Sequence, residues 1–411
     1  MSPRQDVFSQ IPRILLQQTV GPVHKDPALT LPPEVFCMIM NRLSHPSLLQ
    51  ACLVSRAWCE HAITVLWKLI TADVFSHVAE GRRQNYAKLV QELSLRPLWA
   101  CPMLDLSFST LRILRLWNQT SRSRFPQRDT GSDIEYMSSH TRMWRLVKTY
   151  GIQLETLFLG FSPQAVTSED LLTLLEDCKA LSRVGFSAPW NSLIDLDILV
   201  YLATRPILEC LSLPKIITPD IANDLLQLTN EPFLHYKELE IITGGVVLWM
   251  PIMAHCTRLE LLHLRVVDRF GWYNFQSLST LKQLKSFGIS FAEGGLVSES
   301  MLSILGSLPR LRRLHFSSNQ ALQLPPWDER QVTKYLSQCP CLESLSITQE
   351  GHRHAEDRTD RIEHFAVSDD HIDPDGLLVR GFLSTHWKVQ WSLCDNGTRT
   401  CPGDWIRRTF I

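Results

Sequence analysis

A six-residue pattern, apolar-x-x-apolar-x-apolar, returns along most of this chain and limits its fold more than any other feature. It reads Val90-Leu93-Leu95, Leu111-Leu114-Leu116, Leu154-Leu157-Leu159, Leu181-Val184-Phe186, Leu208-Leu211-Leu213 and Tyr236-Leu239-Ile241. It goes on as Leu259-Leu262-Leu264, Leu284-Phe287-Ile289, Leu311-Leu314-Phe316 and Leu342-Leu345-Ile347, with Ile362-Phe365-Val367 as a weaker last copy. The last two apolar residues of each copy are two apart, which is the period of one face of a strand. From Leu154 onward the copies begin 27, 27, 28, 23, 25, 27 and 31 residues apart.

Between the copies lie capped amphipathic segments: Ser168–Cys178, Asp195–Ala203, Pro219–Leu228, Ser298–Leu308 and Asp328–Gln338. Each has the start signals and spacing of a helix. One strand and one helix per period, at intervals in or near the range of about 20–29 residues, is the signature of leucine-rich repeats. The expected fold is therefore α/β: a curved solenoid with inner parallel strands and outer helices, each repeat stable only against its neighbours. The register is divergent, since only Leu311 to Asn319 carries the asparagine of the full repeat.

The interval from Leu111 to Leu154 is 43 residues, so extra chain fills it. Asn118–Gly131 is polar, basic and proline-containing, and reads as an exposed loop; Ile134–Tyr150 has helical spacing. A second loop is expected at 349–360. The repeats then span 88–375, and residues 376–411, with Trp387, Trp391 and Trp405, are expected to cap the open end.

The stretch Thr30–Ile70 has a different texture. Pro32 and Pro33 suit a first helical turn, Glu34 complements the helix dipole, and Val35, Ile39 and Leu43 share a face. His45-Pro46-Ser47 breaks that helix, with Ser47 capping a second that carries Leu48, Leu49, Cys52 and Leu53. Ser55 caps a third, with Trp58, Ala62, Val65 and Leu66 on one side. About forty residues cannot enclose all their own apolar side chains without a partner. Cys52, Val54 and Ala62 read as internal packing.

This stretch resembles the F-box. Leu31-Pro32, Glu34-Val35, Ile39, Leu43, Leu48-Leu49, Cys52, Val54-Ser55, Trp58, Ala62 and Trp67 sit where that family's pattern expects them. The resemblance covers residues 28–70, about a tenth of the chain. It implies that the three helices dock on a Skp-type adaptor, and through it on a cullin scaffold. It also implies that Leu31, Pro32, Glu34, Val35, Ile39 and Leu43, with Trp58 and Trp67, form or adjoin the adaptor surface. The repeats behind it resemble the divergent leucine-rich arrays that follow F-boxes in fungal proteins. Residues 1–27 read as a loose tail, and 71–87 as a helical linker with Val74, Phe75, Val78 and Ala79 on one face.

Charge and composition narrow the partner. In 411 residues, 41 Lys and Arg face 42 Asp and Glu, a formal charge of −1, which argues against nucleic acid or an anionic membrane surface. The longest apolar run, Val246–Ala254, is too short to span a bilayer. The amino terminus lacks the basic and apolar regions of a secretory signal, so the chain is expected in the cytoplasm or nucleus, with its 11 cysteines reduced. No phosphate-binding glycine loop occurs. Cys339, Cys341, His352, His354, His364 and His371 have zinc-ligand chemistry, but Cys341 abuts a repeat leucine, so neither a metal nor another cofactor is expected. Nothing marks a catalytic nucleophile.

Strand alternation converts the repeats into a list of residues for the concave face. Arg115, Trp117 and Phe158 fall there, followed by Arg183, Glu238, Glu240, His263 and Arg265, then Arg313, His315, Ser344, Ser346 and Thr348. Arginine and aromatic side chains contribute most at interfaces. The arginines and histidines imply a locally positive wall suited to an acidic or phosphorylated target, interrupted by Glu238 and Glu240. The expected function is that of the substrate-recognition subunit of a Skp-cullin-F-box ubiquitin ligase, holding an unidentified protein target and catalysing nothing itself. The alternative is a leucine-rich-repeat interaction scaffold whose helices only cap the array.

Overall fold

The computed structural model describes residues 31–71, 74–75, 77–95, 105–117, 132–161, 166–243, 251–267, 276–292, 295–296, 298–318, 322–323, 341–342, 344–349 and 388–392. They divide into two compact units, the first holding the described residues up to 161 together with 177–179, the second the rest. The tail 1–27, the expected helix at 328–338, the last repeat copy at 362–367 and most of 376–411 lie outside the described residues.

The first unit opens with three helices: α1 (Pro33–Arg42), α2 (His45–Ala51) and α3 (Arg56–Leu66). Pro33 occupies the first helical position, where its missing N–H is not needed, and Glu34 lies in the same turn. The break expected at His45-Pro46-Ser47 falls earlier. Ser44 caps α2 by accepting from the Ser47 N–H, and Pro46 belongs to the first turn, where the helix tolerates it. Ser55 caps α3 by accepting from the Trp58 N–H, as expected. Phe36, Met40, Leu48, Ala51, Cys59, Ala62 and Leu66 are all buried.

The strand ladder begins before the repeat pattern does. β1 (Leu69–Thr71) follows α3 after two residues and pairs in parallel with β2 (Glu92–Leu95). In the stretch expected to be a helical linker, Phe75 and Val78 are buried, but Ala79 is exposed and α4 spans only Glu80–Ala87. β3 (Ile113–Trp117) and β4 (Thr156–Gly160) extend the parallel ladder. α5 (Ser132–Tyr150) occupies much of the long interval before β4, burying Met143, Leu146 and Val147 at helical spacing; 118–131 lies outside the described residues.

Aromatic rings splice the helices of this unit to its ladder. Trp67, at the end of α3, stacks on Tyr86 at 4.3 Å and meets the edge of Phe75 at 5.2 Å. Phe75 meets Phe108 at 6.3 Å, and Phe108 meets Tyr150 at 6.0 Å. The Tyr150 hydroxyl accepts from the Phe108 N–H, so the series ends on a fixed backbone position.

The second unit is a leucine-rich-repeat-like solenoid. β5 (Arg183–Phe186), β6 (Cys210–Ile217), β7 (Glu238–Thr243), β8 (Leu261–Val266) and β9 (Ser286–Phe291) pair in sequence order, all parallel. β10 (Gly295–Leu296) steps out to pair with β12 (Leu322–Gln323), while β11 (Arg313–Ser318) and β13 (Ser344–Gln349) continue the main ladder. β14 (Lys388–Ser392) joins β13 antiparallel. The helices α6 (Ser168–Asp177), α7 (Leu196–Thr204), α8 (Pro219–Leu228) and α9 (Glu299–Gly306) fall where their spacing placed them. Asp195, Thr218 and Ser298 cap the last three by accepting from the N3 N–H.

Every patterned apolar residue from Val90 to Phe316 is at most 3% exposed, so each unit closes its own repeat core. With asparagine largely missing from the repeats, other side chains satisfy the open helix ends. The Tyr236 hydroxyl donates to the Leu202 carbonyl at 2.7 Å, and Tyr201 and Arg205 donate to the Leu175 carbonyl at 2.9 and 2.5 Å. These carbonyls belong to last helical turns, which have no partner in their own helix, so each repeat completes the one before it. Among the described residues no helix is long and apolar enough to cross a membrane.

Candidate interaction surfaces

Six of the ten large apolar side chains that are exposed among the described residues lie between residues 31 and 54, so apolar exposure is concentrated on the first helices. Leu31, Val35, Met38 and Ile39 are 40%, 40%, 67% and 38% exposed; the last three share a face of α1, and Leu31 stands two residues before its start. Leu53 and Val54, in the turn before α3, add a second patch at 44% and 60%. Pro32 and Glu34 are exposed, and Leu43 and Trp58 are half-buried. Trp58 packs edge-on against Phe36, with ring centroids 5.2 Å apart.

Two expectations change here. Trp67 is 3% exposed and sandwiched by Tyr86 and Phe75, so it serves the interior of this unit and offers nothing to a partner. Val54, read as internal packing, is outside; Cys52 and Ala62 are inside. Met38 and Leu53 were missed, although Met38 stands three residues after Val35 and seven after Leu31.

On the strand face of the first unit, β3 and β4 set Arg115 opposite Phe158 and Trp117 opposite Gly160. The Trp117 and Phe158 rings lie 4.4 Å apart, and the indole N–H donates to Ser94 Oγ at 2.8 Å, which fixes its orientation. Glycine is required at 160: a Cβ there would stand 2.5 Å from the Leu116 carbonyl oxygen and 2.8 Å from the Phe158 ring. The Arg115 guanidinium bonds the Glu92 carboxylate.

The second unit's strand face is polar. Register aligns Ser212, Glu240, His263, Gly288 and His315 across five strands. Ser212 donates to Glu240 Oε2 at 2.9 Å, His263 Nε2 is 2.9 Å from Ser290 Oγ, and Ser290 is 2.6 Å from Ser317 Oγ. His263 and His315 meet edge to face at 6.5 Å, and a Cβ at Gly288 would come within 3.2 Å of the His263 ring. Glu238 accepts from Cys210 Sγ at 2.8 Å and from Arg183 Nη2 at 3.5 Å.

This packing discharges most of the expected positive wall. Arg115 and Arg183 face carboxylates, and burial holds His263 down to about 3 and His315 to about 4, so both rings are neutral at pH 7. Burial also lifts the Glu240 carboxyl to about 7, with Ser212 and Arg265 pulling the other way. Arg313 is exposed at the start of β11.

The helical stretch has a family likeness. Residues 28–72 match the F-box-like family model. No curated protein matches the chain. Among solved structures, internalin C2 of Listeria monocytogenes strain 4b F2365 aligns with 79% of this chain and 93% of its own at 12% identity. Its TM-score is 0.23, too low to carry an argument, so the repeat-like fold stands on the strand register and burial above.

F-box proteins are generally non-catalytic adaptors. Ser290, His263 and Glu240 stand in the order hydroxyl, base, acid. However, His263 Nδ1 is 3.9 Å from Glu240 Oε1, and a ring held near 3 is a poor proton acceptor. The backbone of β8, β9 and β11 is engaged in the parallel ladder around them, where an oxyanion needs free donors. Among the described residues no group of three or more His, Cys, Asp or Glu could hold a metal ion. Of the cysteines and histidines with zinc-ligand chemistry near the carboxy terminus, Cys341 alone lies among the described residues, and it is exposed.

Proposed function

We propose that this chain is the substrate-recognition subunit of a Skp-cullin-F-box ubiquitin ligase, of the divergent leucine-rich-repeat kind found in fungi. The F-box-like helices bind a Skp-type adaptor and through it the cullin scaffold; the strand face of the repeats binds a protein target. The chain acts in the cytoplasm or nucleus and catalyses nothing itself. Its contribution is to raise the local concentration of the target at the transfer machinery.

The observation that carries this reading is the exposed apolar set Leu31, Val35, Met38 and Ile39 in a chain whose repeats bury their own pattern. A patch of that kind on a soluble scaffold marks an interaction site. Leu31, Pro32, Glu34, Val35 and Ile39 form the adaptor surface, with Leu43 and Trp58 supporting it from half-buried positions. On the first unit's strand face Trp117 and Phe158, with Arg115, form an aromatic anchor for the target; on the second unit's strand face Arg183, His263, Arg265, Arg313 and His315 are the target-binding residues.

Co-expression with a Skp-type adaptor tests this. The wild-type chain is expected to copurify with it one to one, and the Leu31→Ala/Pro32→Ala/Val35→Asp variant to lose at least tenfold in recovered complex while keeping the circular-dichroism spectrum of the fold. Equal recovery would show that the helices merely cap an interaction scaffold with no ligase role.

A further inference from the structure

We propose that Glu240 is the specificity contact of the second unit's strand face, taking a lysine or arginine side chain of the bound segment. This rests on the reading of that face as the target-binding surface.

Among the described residues, the face holds one carboxylate with an oxygen that no hydrogen bond reaches. Glu238, two residues before it on β7, already has Arg183 and the Cys210 thiol. Glu240 has a close donor at one oxygen only, Ser212 at Oε2. Its Oε1 faces His263 Nδ1 across 3.9 Å, beyond hydrogen-bond reach yet narrow enough for one donor atom to bridge the two. Neither histidine supplies charge there, because both are buried and neutral, and His263 is tied to Ser290 through Nε2. Arg265 on β8 attracts the carboxylate, but Ser212 and Arg265 together return less than burial takes away. In its ionised form a carboxylate so placed is favoured by a further cation at its open oxygen.

The charge preference is thus the opposite of what the arginines and histidines imply in the bare sequence. Gly288 leaves room for the His263 ring: a larger residue would press on His263, which bonds Ser290 and through it Ser317. The Glu240 side chain keeps 10% of its surface open, so bulk solvent is mostly excluded from it.

The test uses the full-length chain and two fluorescein-labelled peptides, acetyl-(Ser-Lys)4-amide and acetyl-(Ser-Glu)4-amide, followed by anisotropy at pH 6 and pH 8. With the carboxyl titrating at about 7, the competent ionised fraction rises from about a tenth to about nine tenths between those pH values. The lysine peptide is therefore expected to bind about tenfold more tightly at pH 8. Glu240→Gln, which keeps the shape and remains folded, is expected to lose that gain and bind equally at both pH values. If the glutamate peptide binds more tightly and Arg265→Ala abolishes it, the face is a docking surface but the proposed specificity is wrong. The specificity is equally wrong if Glu240→Gln binds the lysine peptide like wild type. If neither peptide binds the wild-type chain, the target-binding reading of this face falls, and the Glu240 assignment with it.

Discussion

The helices at 33–66 and the repeat ladders use the same kind of residue in opposite ways. Leu, Val and Ile recur at regular spacing in both; the repeats bury every patterned residue from Val90 to Phe316, while α1 leaves Val35, Met38 and Ile39 in water, with Leu31 exposed just before it. Spacing alone does not separate these cases, because an amphipathic face only says that something must cover it. What separates them is supply: each repeat has a neighbour on either side, and a forty-residue unit runs out of chain. Trp67 is the place where the helical unit behaves like the ladder, and it offers the sharpest way to break the comparison. Trp67→Ala is expected to lower the unfolding free energy by about 3–5 kcal/mol, against less than about 0.5 kcal/mol for Met38→Ser. Urea denaturation of the two variants measures the difference, and similar losses would show that α1 is covered by its own chain.

A second contrast lies within the strand faces. The first unit's face is aromatic, with its charges paired; the second unit's face hides titratable groups, and these give it a pH dependence of its own. Glu240 titrates at about 7 when folded against an ordinary 4.5, so the folded state holds that proton more tightly than the unfolded state. Stability from this residue is therefore full below about 4.5 and lost as pH rises toward about 7. His263 and His315 have the opposite sign: held near 3 and 4, they favour the unfolded state as pH falls below 6.5. Glu240→Gln removes only the first effect. Its advantage over wild type is expected to grow between pH 5 and pH 8, by on the order of 2–3 kcal/mol, in thermal melts followed at both values. A pH-independent difference would mean that the carboxyl is solvated in the folded chain.

The repeats were legible in the sequence because burial is periodic there: within the described residues each leucine pattern marks a strand, and each capped segment a helix such as Pro219–Leu228, found at those bounds. Two kinds of feature were not legible. A cap chosen among neighbouring serines depends on where the chain turns, so Ser44 displaced Ser47 at the start of α2. Charge state depends on neighbours from distant repeats, so a wall of arginine and histidine in one dimension becomes in large part ion pairs and neutral rings in three. The pins between repeats were hidden for the same reason, since nothing local tells Tyr236 that its hydroxyl will meet the Leu202 carbonyl. Tyr236→Phe deletes that donor from a fully buried site and is expected to cost about 1–2 kcal/mol in denaturant unfolding. No loss would show that the helix end is satisfied without it.

The smallest effect belongs to the rim just before the strands of the second unit. Glu209, Lys237, Glu260 and Lys285 follow one another there, each donating its N–H to the carbonyl of the one before, from Lys237 onward. Their side chains alternate in sign, with Lys237 bonded to Glu209 and Lys285 to Glu260, both at 2.7 Å. All four are substantially exposed, so solvent screens the pairs and each contributes about 0–1 kcal/mol. Lys285→Ala is accordingly expected to leave the denaturation midpoint within error of wild type. Lys285→Glu sets like charges side by side between neighbouring strands, where repulsion adds to the lost attraction, and about 0.5 kcal/mol of destabilisation is expected at low salt, fading at high salt. A measurable loss from the alanine variant, or a salt-independent loss from the glutamate one, would show that the rim stabilises the array as the core does. The expected pattern instead gives the rim a different part: alternating charges cost little when absent, yet they penalise any stacking of the repeats that would bring like signs together.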